Sequence, residues 1–529
     1  MDSGAIGARP PSPVATGSAD PALAGRGPGT DTADGGRSFD PGPLWARILP
    51  PVAALAVSLW GITTPSFWRD EAATISAVQR PFGQMFYMLG HVDAVHGLYY
   101  SMMWPLVHLF GPGELVLRLP SAIAAAIAAA ALAAIGRRLI SPWAGLAAGL
   151  VLVVLPVTSR YAQEGRSYEM EVALATIASY LIVRLLQSRP GGYRRWLIWY
   201  GVVMAVLGVM NIFGLLLLGA HAITLAVYLV RRRADPVSRR LAAGWLAAGV
   251  AAVVVASPLL VYGWKERGQI AWLAVNKSST GPETLITLPG SITVTAAVLL
   301  LIGIALVASL ALSGERRRAT WPWQLAALSL PWLIFPPALL FAASVVKPIY
   351  TSRYILMCIP ALALIAGAAV AALGRYAGPV GVAVVLVAGL PTQITARMPY
   401  GHYDNIRALD RIVAAHRRPG DVVLYTNPNA ETFPAAYSYG LRSLPNIQLK
   451  QAPIPSGTLG GTNVSLPVLR SRLRHVSRLW IVEINKLDRQ PEVLGLNGLP
   501  VGYAVRGLPL RLVRIWHERG DWLLLYTRA

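Results

Sequence analysis

The sequence predicts an α-helical polytopic membrane protein of about eleven spans, followed by a small C-terminal α/β domain. Three observations predict it. Of 529 residues, 54% are apolar and only 14% charged, whereas soluble domains carry about 25% charged residues. The apolar residues gather into runs close to the roughly 20 residues that a bilayer crossing needs. Beyond residue 400 those runs give way to short strand patterns and turn signals.

Residues 1–44 are rich in Gly, Pro, Ala, Ser and Asp and hold no apolar run, so they read as a disordered tail. The first apolar stretch starts near Ile48, too far in for a signal peptide. Candidate spans follow at 45–63, 119–136, 142–158, 168–187, 195–210, 213–230, 241–261, 290–312, 323–344, 354–374 and 378–394. Their basic flanks alternate. Arg137-Arg138, Arg184 with Arg194-Arg195, the Arg231–Arg233 cluster with Arg239-Arg240, Arg316–Arg318 and Arg375 fall on one side. The positive-inside rule makes that side the cytoplasm. The N-terminus is then cytoplasmic, 45–395 forms a transmembrane module, and 396–529 lies outside the cell membrane as the α/β domain.

The formal charge of +22 is accounted for by these flanks rather than by a basic face for nucleic acid. Cys358, the single cysteine, excludes an intrachain disulfide and a thiolate metal cluster. Residues 98–110 are apolar but short and contain Pro105 and His108. Counting them as a span would invert every later loop, so they read as re-entrant or interfacial, with 72–90 a second interfacial candidate. Four polar stretches then face outwards: 64–97, 159–168, 262–289 and 345–353. In the tail, Asn405–His416 reads as a helix and Val422–Tyr425 and Leu479–Glu483 as strands. Leu510–Trp516 and Trp522–Tyr526 read as a closing hairpin.

The outward stretches concentrate the ionisable residues. Asp70-Glu71 follows the first span beside Phe67 and Trp68. Carboxylates at a bilayer surface are costly to desolvate; one beside a cleft can take a proton from a hydroxyl, although the pair also suits a helix N-terminus. The second stretch holds Arg160, Glu164, Arg166 and Tyr168, a phosphate- or hydroxyl-binding group or a snorkelling collar. The third, Lys347, Tyr350 and Arg353 before an apolar helix, runs against the positive-inside bias. It calls for an anion such as a lipid-linked phosphate or a headgroup. His91, Asp93 and His96 lack a recognised metal-ligand pattern and suit packing or substrate hydrogen bonds. No phosphate-binding loop, dinucleotide fingerprint or nucleophile elbow occurs. A donor delivered within the membrane fits better than a soluble nucleotide.

Taken in order, these motifs resemble the GT-C membrane glycosyltransferases. They are the Asp-Glu pair, His96–Tyr100 (HGLYY), Gly111–Ser121 (GxxExxxRLPS), Arg160–Tyr168 (RYAQEGRSY) and Tyr350–Tyr354 (YxxRY). More narrowly they are similar to the protein O-mannosyltransferase and aminoarabinose-transferase-like group, in its actinobacterial branch, over about 45–395. Many relatives carry His-Pro-Pro where this chain has Val95-His96-Gly97.

The resemblance implies a polyprenyl-phosphate sugar donor, commonly mannose, and a hydroxyl acceptor on a protein, glycolipid or glycan. Asp70 would be the catalytic base, with Glu71 supporting it or binding the acceptor. Arg353, with Tyr350 and Lys347, would hold the donor phosphate. His96, Tyr99, Arg160, Glu164, Arg166 and Tyr168 would line the pocket. A lipid phosphodiester leaving group needs no nucleotide-bound metal, and dependence on a divalent metal stays open, without assigned ligands. Two alternatives stand beside it: a transporter or flippase of lipid-linked saccharides, which predicts ionisable groups at mid-membrane depth and an internal repeat where the sequence instead gathers them on one face, and a surface-polysaccharide polymerase or ligase, which shares donor and topology.

Overall fold

The computed structural model describes residues 42–188, 192–231, 236–266, 283–312, 321–484 and 507–528, with Met1, Gly268, Gly314 and Val505. The expected disordered tail lies outside these residues from 2 to 41. From residue 40 onward the chain forms one compact unit.

Each expected span coincides with a helix. They are Leu44–Leu59, Glu114–Leu139, Pro142–Val154 continued by Pro156–Ala162, Tyr168–Leu186, Arg194–Met210 and Leu216–Arg231. Pro236–Lys265, Ile292–Leu310, Trp323–Val346 and the kinked Ile359–Ala396 complete the series. Among the described residues six helices are long and apolar enough to cross a membrane, or seven with the bent pair counted as one span. The chain is a multi-pass membrane protein. Tyr168–Leu186 is charged at its ends by Glu169, Glu171 and Arg184, and Leu44–Leu59 has only 16 residues with Pro50 and Pro51 inside.

The breaks have local causes. Leu155, extended at φ −67° and ψ 123°, separates two helices that meet at 66°, and Pro156 opens the second, where its fixed φ is tolerated. Gly374 adopts φ 81° and ψ −173°, a backbone that side-chain-bearing residues avoid, and divides Ile359–Ala396 where two spans are expected to meet. Small residues let the helices approach, as in other membrane bundles. A Cβ on Gly136 would lie 2.7 Å from the Gly145 Cα, and one on Gly145 2.4 Å from the Ala133 carbonyl oxygen. Deeper in the bundle, His221 meets the Ser179 hydroxyl at 3.1 Å and the Tyr200 hydroxyl at 3.0 Å, engaging both ring nitrogens.

Between the first two long helices lie Arg69–Val78, Phe82–Leu89 and Gly97–Phe110. The single interfacial helix expected over 72–90 is therefore two, parted at Arg80-Pro81, where proline restricts the preceding residue. Gly97–Phe110 is 14 residues long, shorter than a crossing requires.

The C-terminal region follows the sequence pattern closely. Ile406–His416 is capped by Asn405, whose side chain accepts the Ala408 N–H at 3.4 Å. Strands β1 (Val422–Tyr425), β4 (Arg478–Ile484), β5 (Leu510–Glu518) and β6 (Asp521–Arg528) form a sheet ordered β1-β4-β6-β5. β1 and β4 are parallel and the other pairs antiparallel; β2 (Leu449–Gln451) and β3 (Thr462–Asn463) form a separate ribbon. The two-residue period splits the sheet's faces. Val423, Tyr425, Trp480, Val482, Leu523 and Leu525 join the core of the helical bundle. Leu424, Leu479, Ile481 and Leu524 face Leu469 and Leu473 in a second core.

The close helix approach is testable. Gly145→Val drives side-chain atoms into backbone and is expected to destabilise by about 1–3 kcal/mol. Gly303→Ala, in a helix with open space around it, is expected to be neutral or to stabilise by up to roughly 1 kcal/mol. Thermal unfolding in detergent distinguishes the two.

Candidate active site

The site is built on the turn that leaves the first helix. Asp70 and Glu71 occupy the first turn of Arg69–Val78, where the helix dipole favours negative charge. Neighbours on a helix point about 100° apart, so the two carboxylates face different surroundings. Glu71 faces inwards. Its Oε1 accepts from Arg118 Nε at 2.8 Å and from the Gly165 N–H at 2.8 Å, and its Oε2 from Arg118 Nη2 at 2.8 Å. Both side chains are 0% exposed. Arg118 also donates to the carbonyls of Ile62 (2.7 Å), Pro65 (2.9 Å) and Ser66 (3.1 Å). Glu71, expected to support Asp70 or bind the acceptor, is thus sealed beneath the site in its pair with Arg118, with no surface open to an acceptor.

Asp70 faces outwards. Its Oδ2 accepts from Arg353 Nη1 at 2.6 Å, and the two side chains are 24% and 21% exposed. Arg353 also reaches the Tyr168 hydroxyl at 3.3 Å, and its guanidinium stands over the rings of Trp68 (6.0 Å) and Tyr168 (5.7 Å). Burial works to raise the Asp70 carboxyl's pKa, but the guanidiniums of Arg353, Arg166 and Arg69 outweigh it and hold it below the usual carboxylate range. Asp70 is therefore ionised at neutral pH.

Arg166 closes one side. It donates to His96 Nε2 (2.7 Å), the Tyr100 hydroxyl (3.3 Å), the Thr74 hydroxyl (3.4 Å) and the Asp70 carbonyl (3.5 Å). The Tyr100 hydroxyl donates to Asp93 Oδ2 at 2.8 Å, and Asp93 itself adopts φ 60°. Burial, reinforced by the charges of Arg166 and Arg353, lowers the His96 pKa well below its ordinary value. The ring is neutral, accepts from Arg166 through Nε2 and leaves Nδ1 buried without a partner. The Tyr99 hydroxyl is likewise buried and unpartnered.

On the other side Arg160 Nη1 binds Glu164 Oε2 at 2.6 Å and stands over the rings of Trp68, Tyr161 and Tyr403 at 5.5–5.6 Å. Burial pushes the Glu164 carboxyl up to about 7 against the pull of Arg160. At 1% exposure Glu164 lies behind Asp70.

The structure brings together Asp70, Arg353, Arg166, His96 and Tyr168, with Arg160 and Glu164 behind Trp68. It does not bring in Lys347 or Tyr350, both expected with Arg353 on an anion. The Tyr350 side chain is buried, its hydroxyl 2.8 Å from the Thr284 hydroxyl and its ring stacked 4.0 Å from Phe341. Lys347 Nζ stands 5.9 Å from the Trp264 ring. Three positions separate Tyr350 from Arg353, and the extended Thr351 (φ −147°) turns the chain between them. Arg118 and Tyr100 fall inside the quoted motifs and Trp68 beside Asp70, but none was assigned a role, and Thr74 and Tyr403 were not singled out in the sequence. Arg118 had a legible signal, as a lone charge amid the apolar Glu114–Leu139 helix; Tyr403 had none. Among the described residues no three His, Cys, Asp or Glu side chains converge as ligands for a metal ion. Chemically, the cluster offers an ionised, accessible carboxylate against a guanidinium suited to phosphate.

Residues 98–262 match the family described as dolichyl-phosphate-mannose-protein mannosyltransferase, a segment that includes His96's neighbour Tyr99, Arg118 and Arg166 but ends before Arg353. No curated protein matches the chain in sequence. Among solved structures, ArnT from Cupriavidus metallidurans bound to undecaprenyl phosphate superposes with a TM-score of 0.57 at 15% identity, covering 91% of this chain and 98% of that one. The apo state of the same protein gives 0.56 at 16% identity, with 90% and 97% covered. The resemblance to GT-C membrane glycosyltransferases holds: the chain has their fold.

The buried pair beneath the site makes a sharp stability prediction. Arg118→Leu strands the Glu71 carboxylate in the interior and is expected to cost about 3–5 kcal/mol, since the remaining charge loses its partner. Adding Glu71→Leu to that variant is expected to restore much of the loss. Denaturation of the purified variants in detergent reads both.

Proposed function

We propose that the protein is a membrane glycosyltransferase that moves a sugar from a polyprenyl-phosphate donor to an acceptor hydroxyl, with Asp70 as general base. One observation carries this reading: the part-exposed Asp70–Arg353 pair, set against the sealed carboxylates of Glu71 and Glu164. The matched segment over 98–262 and a fold like that of ArnT bound to undecaprenyl phosphate support it. Mannose is the sugar that the matched family's description favours. The basic flanks of the spans put the site on the extracytoplasmic face, with the N-terminus in the cytoplasm. In this reading 45–395 is the catalytic module and 396–529 a domain seated on it.

The reaction is a displacement at the anomeric carbon. The acceptor oxygen forms the new bond to C1 as its proton passes to the Asp70 carboxylate. The bond from C1 to the phosphate oxygen breaks, and its electron pair leaves on the polyprenyl phosphate, where Arg353 meets the developing charge. Preorganised charge of this kind is the largest contribution in many enzymes. A single displacement inverts the anomeric configuration. A weakly basic carboxylate suffices, because the hydroxyl proton becomes acidic only as the new bond forms. The donor phosphate and Asp70 compete for the same guanidinium, so donor arrival releases the carboxylate for the acceptor. Arg166 orients His96 and Tyr100 around the acceptor side.

Asp70→Asn is expected to lower transfer from polyprenyl-phosphate mannose by about 10²–10⁴-fold, the usual worth of a general base. Unimpaired transfer would exclude Asp70 from the chemistry. The pH dependence has a definite sign. A base held below the ordinary carboxylate range stays ionised through that range, so its acid limb lies below it. In Arg353→Gln, whose lost cation no longer depresses Asp70, the acid limb moves to higher pH and the residual rate falls. A pH–rate profile on membranes containing each variant checks this.

A further inference from the structure

The turn that carries Asp70 is gripped by a short strap of the C-terminal region. Tyr403 lies at φ 83°, a left-handed conformation that a bulky side chain keeps only where its surroundings impose it. The β5–β6 turn imposes it. Gly520 at that turn, itself at φ 90°, packs so closely that a Cβ would lie 2.2 Å from the Tyr403 carbonyl oxygen. The next residues are bound to the same turn: Asp521 Oδ2 accepts the Asn405 N–H at 3.0 Å, and Glu518 Oε2 accepts from Asn405 Nδ2 at 2.8 Å.

The strap in turn holds the two residues just before Asp70. The fully buried Asp404 carboxylate accepts the Arg69 backbone N–H at 2.8 Å and Arg69 Nε at 2.9 Å through one oxygen. Its other oxygen accepts from Arg69 Nη2. The Tyr403 ring lies 5.5 Å from that of Trp68, which also lies beneath Arg353. Arg69 is the immediate neighbour of Asp70.

We propose that Asp404 is a positioning residue for the transfer reaction: backed by the β5–β6 turn, it fixes Arg69 and thereby the placement and charge surroundings of Asp70, while touching neither substrate. This deepens the reading of Asp70 as base and rests on it. Asp70 is faced by Arg353 from the segment after Trp323–Val346 and by Arg166, Glu164 and Tyr168 from the loop and helix after Ala162. Asp93 lies beyond Tyr100, and Arg69 lies on its own helix. Of the cations, Arg69 is the one whose charge is offset from the C-terminal region. Asp404, which meets Arg69 through both carboxylate oxygens, supplies the counter-charge.

The test uses the full-length protein in membranes, with kcat and donor KM measured across pH for Asp404→Asn, Arg69→Gln, Asp404→Glu and, as reference, Asp70→Asn. The expected result for Asp404→Asn is a kcat between about 10- and 100-fold lower, the scale of a small misplacement of a reacting group, with donor KM nearly unchanged. Its uncompensated Arg69 charge shifts the acid limb to lower pH, whereas Arg69→Gln shifts it to higher pH. Asp404→Glu, keeping the charge, returns the limb toward that of the wild type. Opposite shifts from two partners of one ion pair are not produced by general loosening of the fold. Where Asp404→Asn does not accumulate, the Arg69→Gln/Asp404→Asn pair leaves no buried charge uncompensated and is read instead. Its kcat is expected to fall with the limb near its wild-type place. Wild-type kcat in both Asp404→Asn and the paired variant, with Asp70→Asn inactive, overturns the positioning role and leaves the base intact. Full activity in Asp70→Asn overturns the base and the positioning role together.

Discussion

Glu71 and Arg118 form an ion pair sealed from solvent, and the geometry of the whole site depends on it. Through that pair the helix Arg69–Val78, the helix Glu114–Leu139 and the turn at Gly165 are tied at one point. Arg118 also gathers the carbonyls of the chain arriving from the first helix. Buried pairs of this kind add little net stability against an apolar alternative, because desolvation offsets most of the attraction. Their value lies in geometry. The guanidinium fork admits few orientations of its partner, so the direction in which Asp70 points follows from where Glu71 is pinned.

The same economy governs the cations. Arg353, Arg166 and Arg160 stand around one turn; Arg353 and Arg160 each meet a carboxylate and ring faces, and Arg166 meets the His96 ring nitrogen and the Tyr100 hydroxyl. Of the two carboxylates Asp70 is part-exposed and Glu164 is sealed, and that difference is why Asp70 is the one proposed to react. The C-terminal region supplies the last constraint. One face of its sheet belongs to the bundle's own core, and its strap at Tyr403–Asn405 meets the turn that carries Asp70 directly.

Much of this was legible in the sequence, for physical reasons. Apolar runs of span length declare helices in a membrane whatever their packing, and strand alternation with turn signals located the sheet. Asp70, Arg160, Glu164, Arg166 and Arg353 could be gathered at one end of the bundle because charge bias fixes which loops share a side. What stayed hidden was rotation about the helix axis. Nothing in Asp-Glu says which carboxylate turns inwards, and Tyr350 could not be seen to turn toward Thr284 while Arg353 turned toward Asp70. Asp404 was beyond reach for a different reason. It meets Arg69 across 335 positions, and no local pattern encodes such a contact.

The central claim is that the Asp70–Arg353 pair opens to a lipid phosphate, the two anions competing for one guanidinium. Binding of polyprenyl phosphate to purified wild type and Asp70→Asn, followed by titration in detergent, tests it without relying on turnover. With its competitor removed, Asp70→Asn should bind the phosphate more tightly than wild type while failing in transfer, and Arg353→Gln should bind it more weakly. Equal or weaker binding by Asp70→Asn would contradict the account.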